Sequence, residues 1–168
     1  MRVSDIAALN VRSCRPDTNL ASIASIMWEQ DCGVVPVVDE HKKVVGVVTD
    51  RDIAMAAATR PAHVANISAK ELMSGKAYTC RLTDDPKVAL RTMAQNGVRR
   101  LPVVDEKGTL AGILSMTDVV LASRDPKSVR PGDLTWAEVI PMIDAIVRPR
   151  KQQDTPAAGR KQALVASK

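Results

Sequence analysis

The sequence contains no phenylalanine, one tyrosine and two tryptophans in 168 residues, so aromatic rings cannot supply its core volume. Val, Ile, Leu, Met and Ala must fill it. The same scarcity removes the stacking platforms that hold single-stranded nucleic acids. Histidine is almost as rare, with only His41 and His63, and the three cysteines, Cys14, Cys32 and Cys80, form no close pair. An odd, dispersed set fits neither a disulfide framework nor a zinc site, so no metal centre is expected. No run approaches the ~20 apolar residues of a membrane span, and the N-terminal residues lack the apolar stretch of a signal peptide. A cytoplasmic protein with no membrane role is expected.

What the chain does have is aliphatic residues. They bring its hydrophobic content to 45%, enough for one substantial core or for two small ones sharing an interface. The formal net charge is +5, but residues 148–168 alone hold six cations and one anion, so the excess belongs to the tail. The rest of the chain is balanced. The folded body therefore carries no nucleic-acid footprint, and nucleic acid is an unlikely partner.

Internal repetition is the strongest feature. Gly46, Thr49 and Asp52 recur as Gly112, Ser115 and Asp118, so both copies read Gly-x-x-[Ser/Thr]-x-x-Asp. A Pro-Val-Val-Asp-Glu segment precedes each, at residues 36–40 and 102–106. Cys14 and Cys80, like Met27 and Met93, keep the same 66-residue offset without a gap. Two copies of one supersecondary unit are expected, over residues 1–62 and 63–123. Residues 124–147 then form a polar, Pro- and Gly-containing linker followed by an amphipathic helix. Trp136, Val139, Ile140, Ile143, Ile146 and Val147 share its apolar face, and Pro141 should kink it. This helix reads as a cover for the repeats or as a dimer seam. Residues 148–168, rich in Gln, Ala, Pro and basic side chains, read as a disordered basic tail.

Within each unit the hydrophobic period changes from strand to helix and back. In the first, strands are expected over residues 11–14, 34–38 and 44–48, with helices over 20–30 and 50–59. The second repeats the order with strands over 77–80, 101–104 and 110–114, and helices over 86–96 and 117–123. Asn19 and its polar neighbours can cap the first helix, and Pro86 suits a first helical position because its missing N–H costs nothing there. A small sheet with helices on one face leaves the other face uncovered, so the two βαββα units should pack on each other in an α+β fold.

The repeated motif has a structural reading and a functional one. Thr49 and Asp52, like Ser115 and Asp118, are spaced as a capping box at a helix start, which needs no ligand. Three features go beyond capping. Gly46 and Gly112 weaken a strand unless something approaches their backbone closely. The adjoining helix N-termini offer N–H groups to a phosphate. Arg51, Arg99 and Arg100 supply guanidinium groups near the expected mouths, and Asp52 or Asp118 can accept from ribose hydroxyls. Arg51 reads equally as a solvated residue of a first helical turn.

On these residues the chain resembles a tandem pair of cystathionine-β-synthase (CBS) domains, a Bateman module. The resemblance rests on residues 33–39 and 97–105 and on both Gly-x-x-[Ser/Thr]-x-x-Asp stretches. It implies a pseudo-twofold sandwich with two clefts that take adenosine-containing ligands such as AMP, ADP, ATP or S-adenosylmethionine. It further implies that Asp52 and Asp118 bind ribose, that Thr49 and Ser115 face phosphate, and that Arg99 and Arg100 contact phosphate. Gly33 and Val34 stand where the offset places Arg99 and Arg100. The Gly112–Asp118 site is therefore expected to be the stronger. Tyr78 and Cys80 match the segment whose backbone meets the base. Cys80 reads alternatively as a buried filler, and Tyr78 as an edge residue that packs.

The leading function is a non-catalytic regulatory module, most simply a homodimer, whose nucleotide occupancy alters a partner protein. No cofactor is required. An enzyme is disfavoured because no nucleophile stands beside a base and no Walker-type loop is present. The alternative is an interaction adaptor with vestigial clefts, whose basic tail contacts an acidic partner or nucleic acid.

Overall fold

The computed structural model describes residues 1–75, 77–123 and 133–148. The expected linker up to residue 132 and the tail from residue 149 lie outside the described residues. The elements run β1 (Ala8–Leu9), α1 (Leu20–Glu29), β2 (Val34–Val38), β3 (Val44–Thr49), α2 (Asp50–Thr59), β4 (Cys80–Arg81), α3 (Pro86–Asn96), β5 (Arg100–Val104), β6 (Leu110–Ser115), α4 (Met116–Ala122) and α5 (Trp136–Val147). One sheet has the order β1-β6-β5-β4 and the other pairs β2 with β3.

The helices begin where polar side chains replace the missing backbone partners. Asn19 accepts from the Ser22 N–H at 2.9 Å to start α1, and Asp85 accepts from Lys87 ahead of α3, with Pro86 in its first turn. Leu20, Ile23, Ile26 and Met27 recur at helical spacing and bury one face of α1 against β2 and β3. Ala89, Leu90 and Met93 do the same for α3 in the second core. Both hairpin turns are tied by an aspartate: Asp39 accepts from the N–H groups of His41 and Lys43, and Asp105 from those of Lys107 and Thr109. At equivalent places the turns hold Lys42 at φ +60° and Gly108 at φ +80°. Only glycine adopts that region without steric cost.

The strand expected over residues 11–14 is reduced to a single parallel bridge between Cys14 and Val37. Its counterpart is a two-residue strand, Cys80–Arg81, parallel to β5. The shortening has a topological cause. Ahead of Cys14 the chain crosses from the other unit, where β1 pairs antiparallel with β6 through Ala8–Ile113 and Leu9–Gly112. Asn10, at φ +57°, turns the chain out of that pairing.

The crossing is reciprocal, and it locks the units together. The N–H groups of Val3 and Ser4 donate to the carbonyls of Asp84 and Leu82, at 2.9 and 3.0 Å. Sixty-six positions later, Ala69 and Lys70 donate to Thr18 and Pro16, at 2.8 and 2.9 Å. Val3 is thereby fully buried in the second core, and Ile67 and Ala69 join the first. Each repeat is closed by residues that precede the other.

α5 packs on the second unit. Leu134, Val139 and Ile146 are buried in the second core, with Met142 and Ile143 packed against it, and Lys87 of α3 meets Glu138 at 2.8 Å. The helix continues through Pro141. Its apolar side is wider than one interface: Trp136, Ile140 and Val147, expected on the covered face, are exposed.

Candidate functional site

Both repeated motifs fold as strand, cap and helix. Thr49 donates through N and Oγ1 to Asp52 Oδ2, at 2.9 and 2.7 Å, while its Oγ1 accepts from the Asp52 N–H at 3.2 Å. Ser115 and Asp118 repeat this at 2.7, 2.7 and 3.1 Å. The expected capping boxes are therefore present. They engage Oδ2 of each carboxylate, and no bond from the described residues reaches either Oδ1.

Strand alternation decides which residues face the space between units. Along β3, Gly46 and Val48 are buried while Val47 and Thr49 are partly open; along β6, Gly112 and Leu114 are buried while Ile113 and Ser115 are partly open. The open set lines two clefts. The glycines line neither. A Cβ on Gly112 would lie 2.4 Å from the Ala8 carbonyl oxygen, and one on Gly46 would lie 2.9 Å from that of Ser74. The close approach that the sequence demands is made by the crossing segments of the chain itself.

The first cleft, about 580 Å³, takes Val47, Thr49 and Arg51 from the first unit and Arg99, Arg100 and Ile113 from the second. The last turn of α5, with Arg148, forms its remaining side. The second cleft, about 410 Å³, takes Ser115, Asp118 and Arg100 from the second unit, with Val34, Cys32 and the crossing residues Leu9 to Arg12 opposite. Arg100, the first residue of β5, thus lines both. Arg99, grouped by sequence with Ser115 and Asp118, stands just ahead of β5 and lines the Thr49 cleft alone.

The other expected contacts separate. Asp52 caps α2, but the acid lining the first cleft is Asp50, at the first helical position. Cys80 is buried in the second core, and burial, with Asp84 adding, pushes its thiol up to about 12. Burial likewise pushes Cys14 up to about 11. Tyr78 packs against the second core. Neither Tyr78 nor Cys80 lines either cleft. Asp50, Arg148 and Arg12 were missed. Asp50 sits at a variable position inside the repeated motif, and Arg12 and Arg148 have no repeat partner that would mark them.

Among the described residues no group of His, Cys, Asp and Glu is arranged to hold a metal ion. Nor is any described helix long and apolar enough to cross a membrane.

The family model for the CBS domain matches twice, at residues 3–59 and 69–125. An uncharacterized protein of Methanopyrus kandleri is 30% identical over 118 residues, which cover 70% of this chain and 60% of that protein. An inosine-5'-monophosphate dehydrogenase of Methanocaldococcus jannaschii is 26% identical over 129 residues, covering 77% of this chain and 25% of the enzyme. The chain thus spans only part of these relatives' length. Among solved structures, a CBS domain protein from Pyrobaculum aerophilum complexed with AMP superposes with a TM-score of 0.65 and 26% identity, covering 71% of this chain and 90% of that one. The CBS domain pair of protein MJ0100, in complex with 5'-methylthioadenosine and S-adenosyl-L-methionine, gives 0.66 and 25%, covering 72% and 94%. With both repeats matched and the paired architecture shared, this chain belongs to the CBS domain family as a tandem pair.

Proposed function

We propose that the protein is a regulatory module that binds an adenosine-containing ligand in the clefts between its repeats. The carrying observation is the half-used carboxylate of Asp118, which lines its cleft, with Asp52 matching it in bonding but not in placement. Asp52 and Asp118 each hold a helix start with one oxygen and keep the other unbonded beside a strand-to-helix junction. Asp118 lines its cleft directly, and the adjoining helix N-terminus suits a phosphate. The AMP and S-adenosyl-L-methionine complexes of similar CBS pairs support this ligand class.

Each cleft is walled by both units, so a ligand bridging them favours one relative arrangement over another. That preference is what a partner protein or a second copy of the chain would read. Trp28, which is 89% exposed on α1, and Ile140 on the outer side of α5 offer apolar surface for a homodimer. Light scattering would test the dimer.

The function is tested by thermal unfolding with AMP, ADP, ATP and S-adenosylmethionine. A ligand at a hundred times its Kd adds about 2.7 kcal/mol, so the true ligand raises Tm by several degrees. No shift with any of the four removes this reading and leaves the adaptor.

A further inference from the structure

Four arginines converge on the Thr49 cleft from three parts of the chain: Arg51 at the start of α2, Arg99 just ahead of β5 with Arg100 as its first residue, and Arg148 behind α5. Asp50 is the carboxylate on the same wall. Among the described residues, Arg51, Arg99 and Arg100 have no ion-pair partner, while Arg148 holds Asp144 at 2.7 Å. The Asp118 cleft differs. There Arg12 and Arg100 face Asp31 and Asp118, and Arg12 is already paired with Glu29. One cleft carries excess positive charge and the other is balanced.

A cleft lined by one sign of charge concentrates the opposite sign, and guanidinium groups bind phosphate oxygens through paired N–H donors. One phosphate carries at most two negative charges and meets only part of such a wall. A chain of phosphates matches its spread. The C-terminal turn of α5 lines this cleft, an end of the wrong polarity for an anion, and Arg148, held by Asp144, sets a guanidinium beside it.

We infer that the Thr49 cleft is a polyphosphate site, made for the di- or triphosphate end of a nucleotide, and that Arg148 completes it. Arg148 belongs to neither matched repeat. The site therefore ties ligand charge to the position of the C-terminal helix. This rests on the clefts being adenosine-ligand sites, and it specifies which phosphate form one of them takes.

Titration calorimetry on the full chain with AMP, ADP and ATP tests it, with inorganic tripolyphosphate as a separate probe. Affinity should rise by about tenfold or more from AMP to ATP, the rise shrinking with added salt. Arg148→Gln should weaken ATP by about three- to tenfold and AMP by less than about twofold. Asp144→Asn, which releases Arg148 from its internal partner, should tighten ATP. If the pair served only to end the helix, both substitutions would move ATP affinity in the same direction, and that result overturns the assignment. Equal affinity for AMP and ATP also overturns it, while leaving the adenosine reading intact. Conversely, tripolyphosphate binding that needs Arg99 and Arg148, with no adenosine compound bound, sustains the polyphosphate site and removes the adenosine reading.

Discussion

Thr49 and Ser115 each cap a helix through the hydroxyl that, in the proposed function, also faces the ligand, and the two roles separate by experiment. As helix caps they satisfy a backbone N–H that would otherwise lack a partner, so Thr49→Ala or Ser115→Ala should cost about 1 kcal/mol in urea unfolding. A loss of ligand affinity beyond that small destabilisation measures the second role. Gly112 is constrained differently. Its Cβ would meet backbone, not a flexible side chain, so Gly112→Ala should destabilise by about 1–3 kcal/mol, whereas Gly75→Ala, with open space around it, should have little effect. Equal effects would remove the crossing-segment account of the repeated glycine. The thiols follow their burial: with Cys14 and Cys80 pushed up to about 11 and 12, little thiolate is present at neutral pH. Alkylation should reach half-buried Cys32 first and the other two only on unfolding.

The repeat made most elements legible, because a pattern seen twice at a fixed offset outweighs weak local propensity. Helices α1 and α3 start where Asn19 and Pro86 indicate, and the β2–β3 and β5–β6 hairpins have the expected positions. Residues 11–14, Val-Arg-Ser-Cys, make only the Cys14–Val37 bridge, because so short a segment carries no information about its partner and here the chain crosses between sheets. Glycine position was informative about close approach but silent on what approaches. In α5 the apolar periodicity was visible while the covered side was not, since Val139 and Ile140 are equally apolar and only packing on α3 distinguishes them. The seating of α5 has a pH signature. Lys87 donates to Glu138 and holds its carboxyl below the ordinary glutamate range, with the N–H and hydroxyl of Thr135 adding; Glu138 in turn raises Lys87. A depressed carboxyl contributes stability above its unfolded pKa and loses it as pH falls through the folded one; the raised lysine loses its share only as pH rises through its own value. The contact is thus complete from about pH 5 to pH 10 and fails in acid. Urea midpoints at pH 7 and pH 3 should show a smaller acid loss for Glu138→Gln than for the native chain; an equal loss would show that the pair does not seat the helix.

At the scale of the whole molecule, the two units are near copies that have been made unequal. Each lends a closing segment to the other's core, so they should unfold as one cooperative unit. α5 then packs on the second unit and reaches the mouth of one cleft, and the arginines gather there. The sequence carried the resemblance and the polar cleft residues Thr49, Arg51, Arg99, Arg100, Ser115 and Asp118, but not their partition: Arg99 lines the Thr49 cleft alone, and Arg100, next to it in the chain, lines both. The central claim is that the space between the units holds an adenosine ligand through the unbonded oxygen of a capping acid. Calorimetric titration of AMP and ATP into the full chain, with Asp118→Ala alongside and its fold checked by urea unfolding, tests this most directly. Saturable binding by the native chain, with binding at the second cleft lost in a folded Asp118→Ala variant, is the predicted result. No binding, or binding that Asp118→Ala leaves unchanged, would contradict it.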